Sequence, residues 1–363
     1  MSVEVKLGFV PLTDSAPLIV AQELGYFRQF ELDVKLCPQN SWSTLRDKLQ
    51  TGLLDAAQLL APIPLASSLG LGGMQVQMTV PMVLSQNGNA ISLSRALCDE
   101  ILLDNKLSEL PFPMPSNLLT KIVQRRAKKG EKKLRFATVF PYSCHQYQLL
   151  DWLKVENMHN VIDVITIPPS EMSGSLESGL IDGFCVGGPW SAKSVREGTG
   201  VTVLTSYHIW QDKAEKVLGT TDAFYQKEPE LMAKLCAALL LACEWLQYLP
   251  NRFEAAKLMS QSGYLNEPIE VIAPSLLGSC LIQQNQSPQH VPHYNRFYES
   301  NFIVVNSPTL ELQQWLLQKM LDSHQISSKD AQQVVVTQIM QKIVNTACFD
   351  EAIALLAKQR HKY

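Results

Sequence analysis

Residues 3–25 read VEVKLGFVPLTDSAPLIVAQELG, and this stretch decides the fold class. Val3–Val10 is an apolar run with the β-branched content of a buried strand. Thr13-Asp14-Ser15 then offers N-cap oxygens, and Pro17 suits a first helical turn. The pattern predicts a helix over Ala16–Leu24, stopped by Gly25 in a left-handed terminal position. The same alternation continues. Leu32–Leu36 is a strand, and Ser43 or Thr44 caps a helix running to Leu49, with Asp47 three residues beyond Thr44 and Gly52 at its end. Ala56–Leu60 and Met74–Val80 are further strands, with a short helix near Pro64–Leu69 between them. Repeated β-α-β order predicts an α/β fold of parallel-type sheets flanked by helices.

Asn87-Gly88 is a turn signal, and Ala90–Ser94 reads as a strand leaving the first lobe. Pro111–Pro115 holds three prolines and is a loop. Gln124–Lys133 is rich in Lys and Arg. It reads either as a solvated helix end and loop or as a docking patch for an acidic partner. No aromatic residues interleave it, which argues against single-stranded nucleic acid. A second series follows: strand Leu134–Val139, helix His145–Val155, strand Val161–Ile167, helix Ser170–Ser178 ended by Gly179, and strand Ile181–Val186. Val201–Ser206 is expected to return to the first lobe. From Glu228 onward the pattern is helical, over Leu231–Leu249, Thr309–Asp322, Ser328–Asn345 and Phe349–Gln359. The expected division is 1–90 plus 205–363 as one lobe and 91–204 as the other, with a ligand cleft between them.

Composition narrows the function. The 363 residues are 46% hydrophobic and 18% charged, with a formal net charge of -3. Such a chain has enough sequence for two cores, and its surface as a whole does not attract nucleic acid or anionic lipid. An anion site must be local. No apolar run is long enough to span a membrane. The start, Met1-Ser2-Val3-Glu4-Val5-Lys6, lacks the pattern of a secretory signal. The cysteines Cys37, Cys98, Cys144, Cys185, Cys236, Cys243, Cys280 and Cys348 form no CxxC pair and no zinc-ligand spacing. Thiols without pattern or export signal point to a reducing cytoplasm. Nucleotide-binding and hydrolase motifs are missing, as is calcium-loop spacing, so no catalytic residue, cofactor or metal is assigned.

Ligands of open α/β sheets bind at the strands' carboxyl ends. That places Thr13–Ser15, Trp42–Thr44, Pro141–His145 and Gly187–Trp190 at the expected site. Each corner presents helix amides suited to an anion. Trp42 is either a packing anchor or an indole N–H donor with a flat wall for a planar ligand. His145 opens a helix and can donate. Asn89 can offer amide N–H groups. Lys216, in Trp210-Gln211-Asp212-Lys213-Ala214-Glu215-Lys216, has the composition of a surface lysine.

At these same corners the chain resembles the nitrate/bicarbonate-binding proteins of cyanobacterial ABC importers. The matching stretches are Leu7–Leu18, Ser41–Asp47, Asn87–Ser92, Phe140-Pro141 through His145, Phe184–Trp190, and Trp210 through Gly219. They run in family order to about Lys227. The resemblance implies a two-lobed, periplasmic-binding-protein-like fold (type II) with a helical C-terminal third. It implies a ligand site of Trp42, His145 and Lys216, with Asn89 where the family has glutamine, joined by Thr13, Gly187 and Gly188. The family's glutamate before Pro-Trp is Gly188 here, which weakens a metal-assisted site. A lysine among uncharged donors suits nitrate or nitrite. Together with the missing export signal, the resemblance implies a cytoplasmic, NasS-type sensor of nitrate assimilation. Such a sensor holds an RNA-binding antiterminator-type response regulator and releases it when the anion binds. It has no direct nucleic-acid contact and no membrane insertion. The competing expectations are the binding component of a nitrate or bicarbonate ABC importer, and an enzyme on the same scaffold related to thiamine-pyrimidine synthases.

Overall fold

The computed structural model describes residues 3–154 and 161–360. Met1 and Ser2, and the expected helix end at Val155, lie outside the described residues. The strands are β1 (Val3–Phe9), β2 (Leu32–Pro38), β3 (Ala56–Leu60), β4 (Met78–Asn87), β5 (Asn89–Ser94), β6 (Arg135–Thr138), β7 (Asp163–Thr166), β8 (Gly183–Gly187), β9 (Gly200–Thr205), β10 (Ala214–Thr221), β11 (Ser279–Cys280), β12 (Gln289–His290) and β13 (Asn295–Arg296).

The chain divides into two compact units. One comprises Met1–Gln86, Ala214–Asn266 and Arg296–Tyr363; the other comprises Asn87–Lys213 and Glu267–Asn295. The expected boundaries therefore shift in three places, the first being the crossing to the second unit, which comes after Gln86 rather than after residue 90. The chain re-enters the first unit at Ala214 rather than at residue 205, because β9 pairs with β5 inside the second unit and β10 is the returning strand. Residues 267–295 also join the second unit. There Cys280, Val291 and Tyr294 pack with Ala90, and Lys193 Nζ meets Glu267 Oε2 at 2.9 Å.

The first unit is built on a six-stranded sheet in the order β13-β4-β10-β3-β1-β2. β1 is parallel to β2 and β3, while β10 runs antiparallel to both β3 and β4. The second unit holds a five-stranded sheet, β7-β6-β8-β5-β9, in which β5 is antiparallel to both neighbours. The sheets of the expected α/β fold are mixed, combining the parallel β-α-β pairs read from the sequence with antiparallel strands. A strand that follows a turn or a crossing rather than a βα repeat is free to run against its neighbours.

Local signals explain most helix limits. Gly25 stands at φ 74° after the helix Ala16–Glu23, with Pro17 in that helix's first turn. The expected N-cap is not made there: Thr13–Ser15 winds into a 3-10 turn, and Ser15 Oγ donates to the Leu12 carbonyl at 2.7 Å. Ser41 rather than Ser43 or Thr44 caps the helix Trp42–Gln50, accepting the Thr44 amide at 3.2 Å. Trp42 is thus the first residue of that helix. Pro229–Trp245 is buried along nearly all its length and packs against Ala16–Glu23 and Thr346–Arg360. Among the described residues no single helix is long and apolar enough to cross a membrane. The basic stretch lies mostly on the helix Thr120–Lys129, where Arg125 and Arg126 pair with Glu100.

Candidate functional site

In the first unit, the sequence-expected residues Trp42 and Lys216 come together. Lys216 sits on β10, paired with Leu60 of β3 and with Ser85 of β4. It is 0% exposed, so the surface reading of this lysine is overturned. Neighbours on a regular strand point to opposite faces. Here the β4 register shifts on both sides of Lys216, and such irregularity re-aims side chains. As a result the Lys216 ammonium reaches the carboxylate of its own neighbour, Glu215, at 3.0 Å.

A second carboxylate comes from far away in sequence. Asp14, in the 3-10 turn after β1, places Oδ2 at 2.7 Å from Lys216 Nζ. Its other oxygen, Oδ1, accepts from Gln58 Nε2 of β3 at 3.0 Å. Asp14 and Glu215 are each 1% exposed, and Gln58 is fully buried. Burial pulls the Lys216 pKa down, but the Asp14 and Glu215 carboxylates outweigh it and hold it above the ordinary lysine value. The lysine is therefore a fixed cation. The expectation of an ammonium among uncharged donors is corrected: two carboxylates flank it, Glu215 Oε1 accepting a hydrogen bond and Asp14 Oδ2 at ion-pair distance. An ammonium has three N–H donors, one more than the carboxylates that flank this one.

Trp42 completes this set. Its ring centroid lies 5.4 Å from Lys216 Nζ, within cation–π reach. The indole is fully buried, yet its Nε1 has no hydrogen-bond partner among the described residues. A buried indole N–H normally finds an acceptor, and leaving it unpaired costs about 1–3 kcal/mol. Ser85 Oγ, on the β4 residue opposite Lys216, is likewise buried and unpaired. Thr13 is buried next to Asp14 in the same turn.

The second unit holds the other expected residues. Asn89 opens β5 opposite Gly187, the last residue of β8. Its Nδ2 donates to Gln148 Oε1 at 2.9 Å, and its buried Oδ1 has no hydrogen-bond partner among the described residues. Asn89 therefore commits one amide N–H to Gln148, has a second N–H, and also presents a buried acceptor oxygen. The Gly188 amide donates to the Gly88 carbonyl at 3.1 Å, so it too is engaged. His145 is fully buried in the first turn of the helix Cys144–Lys154. Trp190 Nε1 and Ser191 Oγ, at the start of Trp190–Arg196, are buried without hydrogen-bond partners among the described residues.

Sequence reasoning missed Asp14, Gln58, Glu215 and Gln148. Asp14 stood inside a quoted motif, but as a cap rather than as an ion-pair partner. Gln58 carried no local signal in its strand. No group of three or more His, Cys, Asp or Glu among the described residues is placed to hold a metal.

The NMT1-like family model matches residues 2–260. The nitrate/nitrite binding protein NrtA of Nostoc sp. is 30% identical over 303 residues, covering 82% of this chain and 66% of that protein. The nitrate import ATP-binding protein NrtC of Synechocystis sp. is 33% identical over 306 residues, covering 83% of this chain and 44% of that protein. The bicarbonate transport ATP-binding protein CmpC of Synechococcus elongatus is 33% identical over 319 residues, covering 87% and 44%. This chain thus spans between under half and about two thirds of these relatives. The crystal structure of the periplasmic nitrate-binding protein NrtA from Synechocystis superposes with a TM-score of 0.87 at 24% identity, covering 98% of this chain and 89% of that one. That likeness shows the periplasmic-binding-protein-like α/β fold.

Proposed function

Because this chain belongs to the NMT1-like family, we propose that it binds nitrate or nitrite, without transforming it, as the solute-binding component of an ABC-type importer. One observation carries the anion reading. The Trp42 N–H is buried and unspent at the start of a capped helix, beside a lysine with a donor to spare. A small oxyanion that accepts from both would satisfy them, and the helix start adds a favourable field. Nitrate is planar and donates nothing, which suits a flat indole and N–H donors.

The importer role is supported by relatives whose names state nitrate binding and nitrate import. The cytoplasmic sensor with an antiterminator partner rests on the sequence resemblance and on one further observation. All eight cysteines are thiols, seven of them buried, as suits a reducing compartment. The two roles share a ligand and differ in consequence. A sensor would hold a partner from its own cell extract without nitrate and release it with nitrate; an importer component would not.

The test is calorimetric titration of the purified chain with nitrate, nitrite, sulfate, and bicarbonate plus calcium. Saturable binding of nitrate or nitrite, with sulfate silent, is the expected result. Binding of bicarbonate with calcium and of neither nitrogen oxyanion would overturn the proposal.

A further inference from the structure

Beside Lys216 stands a polar group that the fold buries and does not use. Ser85 lies on β4 directly opposite Lys216 of β10. It is 0% exposed, and its Oγ has no hydrogen-bond partner among the described residues. Residues directly opposite in an antiparallel pair share a face of the sheet, with Cβ atoms about 4.5–5.5 Å apart. A buried hydroxyl is normally paired, and leaving one unspent costs stability.

Three donors of the first unit thus stand together, each from a different element. The helix Trp42–Gln50 brings the indole N–H of Trp42, whose ring centroid is 5.4 Å from Lys216 Nζ. β10 brings Lys216 itself, with one more N–H than its flanking carboxylates. β4 brings the Ser85 O–H. Gln58 is not among them, because its Nε2 donates to Asp14 Oδ1 at 3.0 Å. Nitrate has three equivalent oxygens and takes one donor on each. Nitrite has two. The charged ammonium holds one of them, and the indole, fixed by packing at a helix start, holds the other. The hydroxyl is then the donor left over, because its hydrogen is free to rotate away.

We propose that Ser85 donates to the third oxygen of nitrate and so sets the preference of this site for nitrate over nitrite. This inference rests on the oxyanion reading of the same site and adds the residue that tells the two anions apart. Deleting a hydroxyl that has no partner removes no hydrogen bond from the fold, so its worth shows only with the ligand. One hydrogen bond to a charged group corresponds to about tenfold in affinity or more.

The experiment is calorimetric titration of the purified chain and of Ser85→Ala with sodium nitrate and, separately, sodium nitrite, with urea denaturation of both proteins in parallel. The parent chain is expected to bind nitrate about tenfold more tightly than nitrite. Ser85→Ala should lose about tenfold for nitrate and no more than about twofold for nitrite, at an unchanged urea midpoint. Ser85→Cys, which fills the space with a weak donor, should narrow the ratio in the same way and serves if the alanine variant does not fold. A merely structural serine would shift both affinities together. A nitrate-to-nitrite ratio that the folded variants keep, whether both affinities fall or neither does, therefore overturns this inference and leaves the oxyanion reading standing. A parent chain that binds nitrite as tightly as nitrate does the same. No binding of either anion by the parent chain removes both readings.

Discussion

The indole of Trp42 is held by packing and is not spent on any hydrogen bond. Trp42→Phe keeps most of the apolar contact and deletes the donor. If an anion accepts from that donor, the loss is about 1.5–3 kcal/mol, or roughly ten- to a hundredfold in affinity. Calorimetry should show this drop with little change in the urea midpoint. Unchanged affinity would take the indole out of the site. Lys216 behaves differently. Its removal strands the Asp14 and Glu215 carboxylates in the core, at a cost of about 3–5 kcal/mol. Lys216→Ala should therefore lose stability as well as binding, and lost binding alone does not measure the lysine's contact with the ligand. Lys216→Met combined with Asp14→Asn should recover part of that stability in urea denaturation. A double variant no more stable than Lys216→Met would deny the ion pair its structural role.

At the level of elements, the short helix Trp42–Gln50 decides where the indole stands. Its cap is a single oxygen, Ser41 Oγ, which accepts the Thr44 amide. Ser41→Ala should cost about 1 kcal/mol and lower the thermal midpoint by a few degrees. Because Trp42 is the first residue of the helix, the same change should weaken nitrate binding without touching the ligand. An unaltered affinity in Ser41→Ala would mean that strand and sheet contacts, not the cap, hold the indole. β10 is the other deciding element. Its irregular pairing with β4 brings adjacent residues Glu215 and Lys216 into contact head to head, which a regular strand forbids.

For the whole molecule, a ligand that binds only the folded chain stabilises it by mass action. Nitrate at about a hundred times its dissociation constant should add about 2.7 kcal/mol. A thermal scan should show the midpoint rising with nitrate concentration and not with matched sodium chloride. A midpoint insensitive to nitrate would count against the binding assignment. The same scan separates salt from ligand, since a site 0% exposed is little screened by bulk ions.

Much of the fold is written locally. The strand run Val3–Phe9, Pro17 in the first turn and Gly25 at φ 74° each act within a few residues of themselves, and sequence reading places them, whereas Asn87-Gly88, read as a turn, is the link between β4 and β5. Trp42 and Lys216 were named from motifs, but their surroundings were not. The second unit's segment Asn87–Lys213 lies between Asp14 and Lys216 in sequence, and the two meet only because β10 inserts antiparallel between β3 and β4. Sheet order, the assignment of 267–295 to the second unit, and the carboxylates on the lysine all arise from pairings between distant segments. Periodicity and caps are blind to such pairings, because the energy that selects them belongs to burial shared between segments rather than to either one alone.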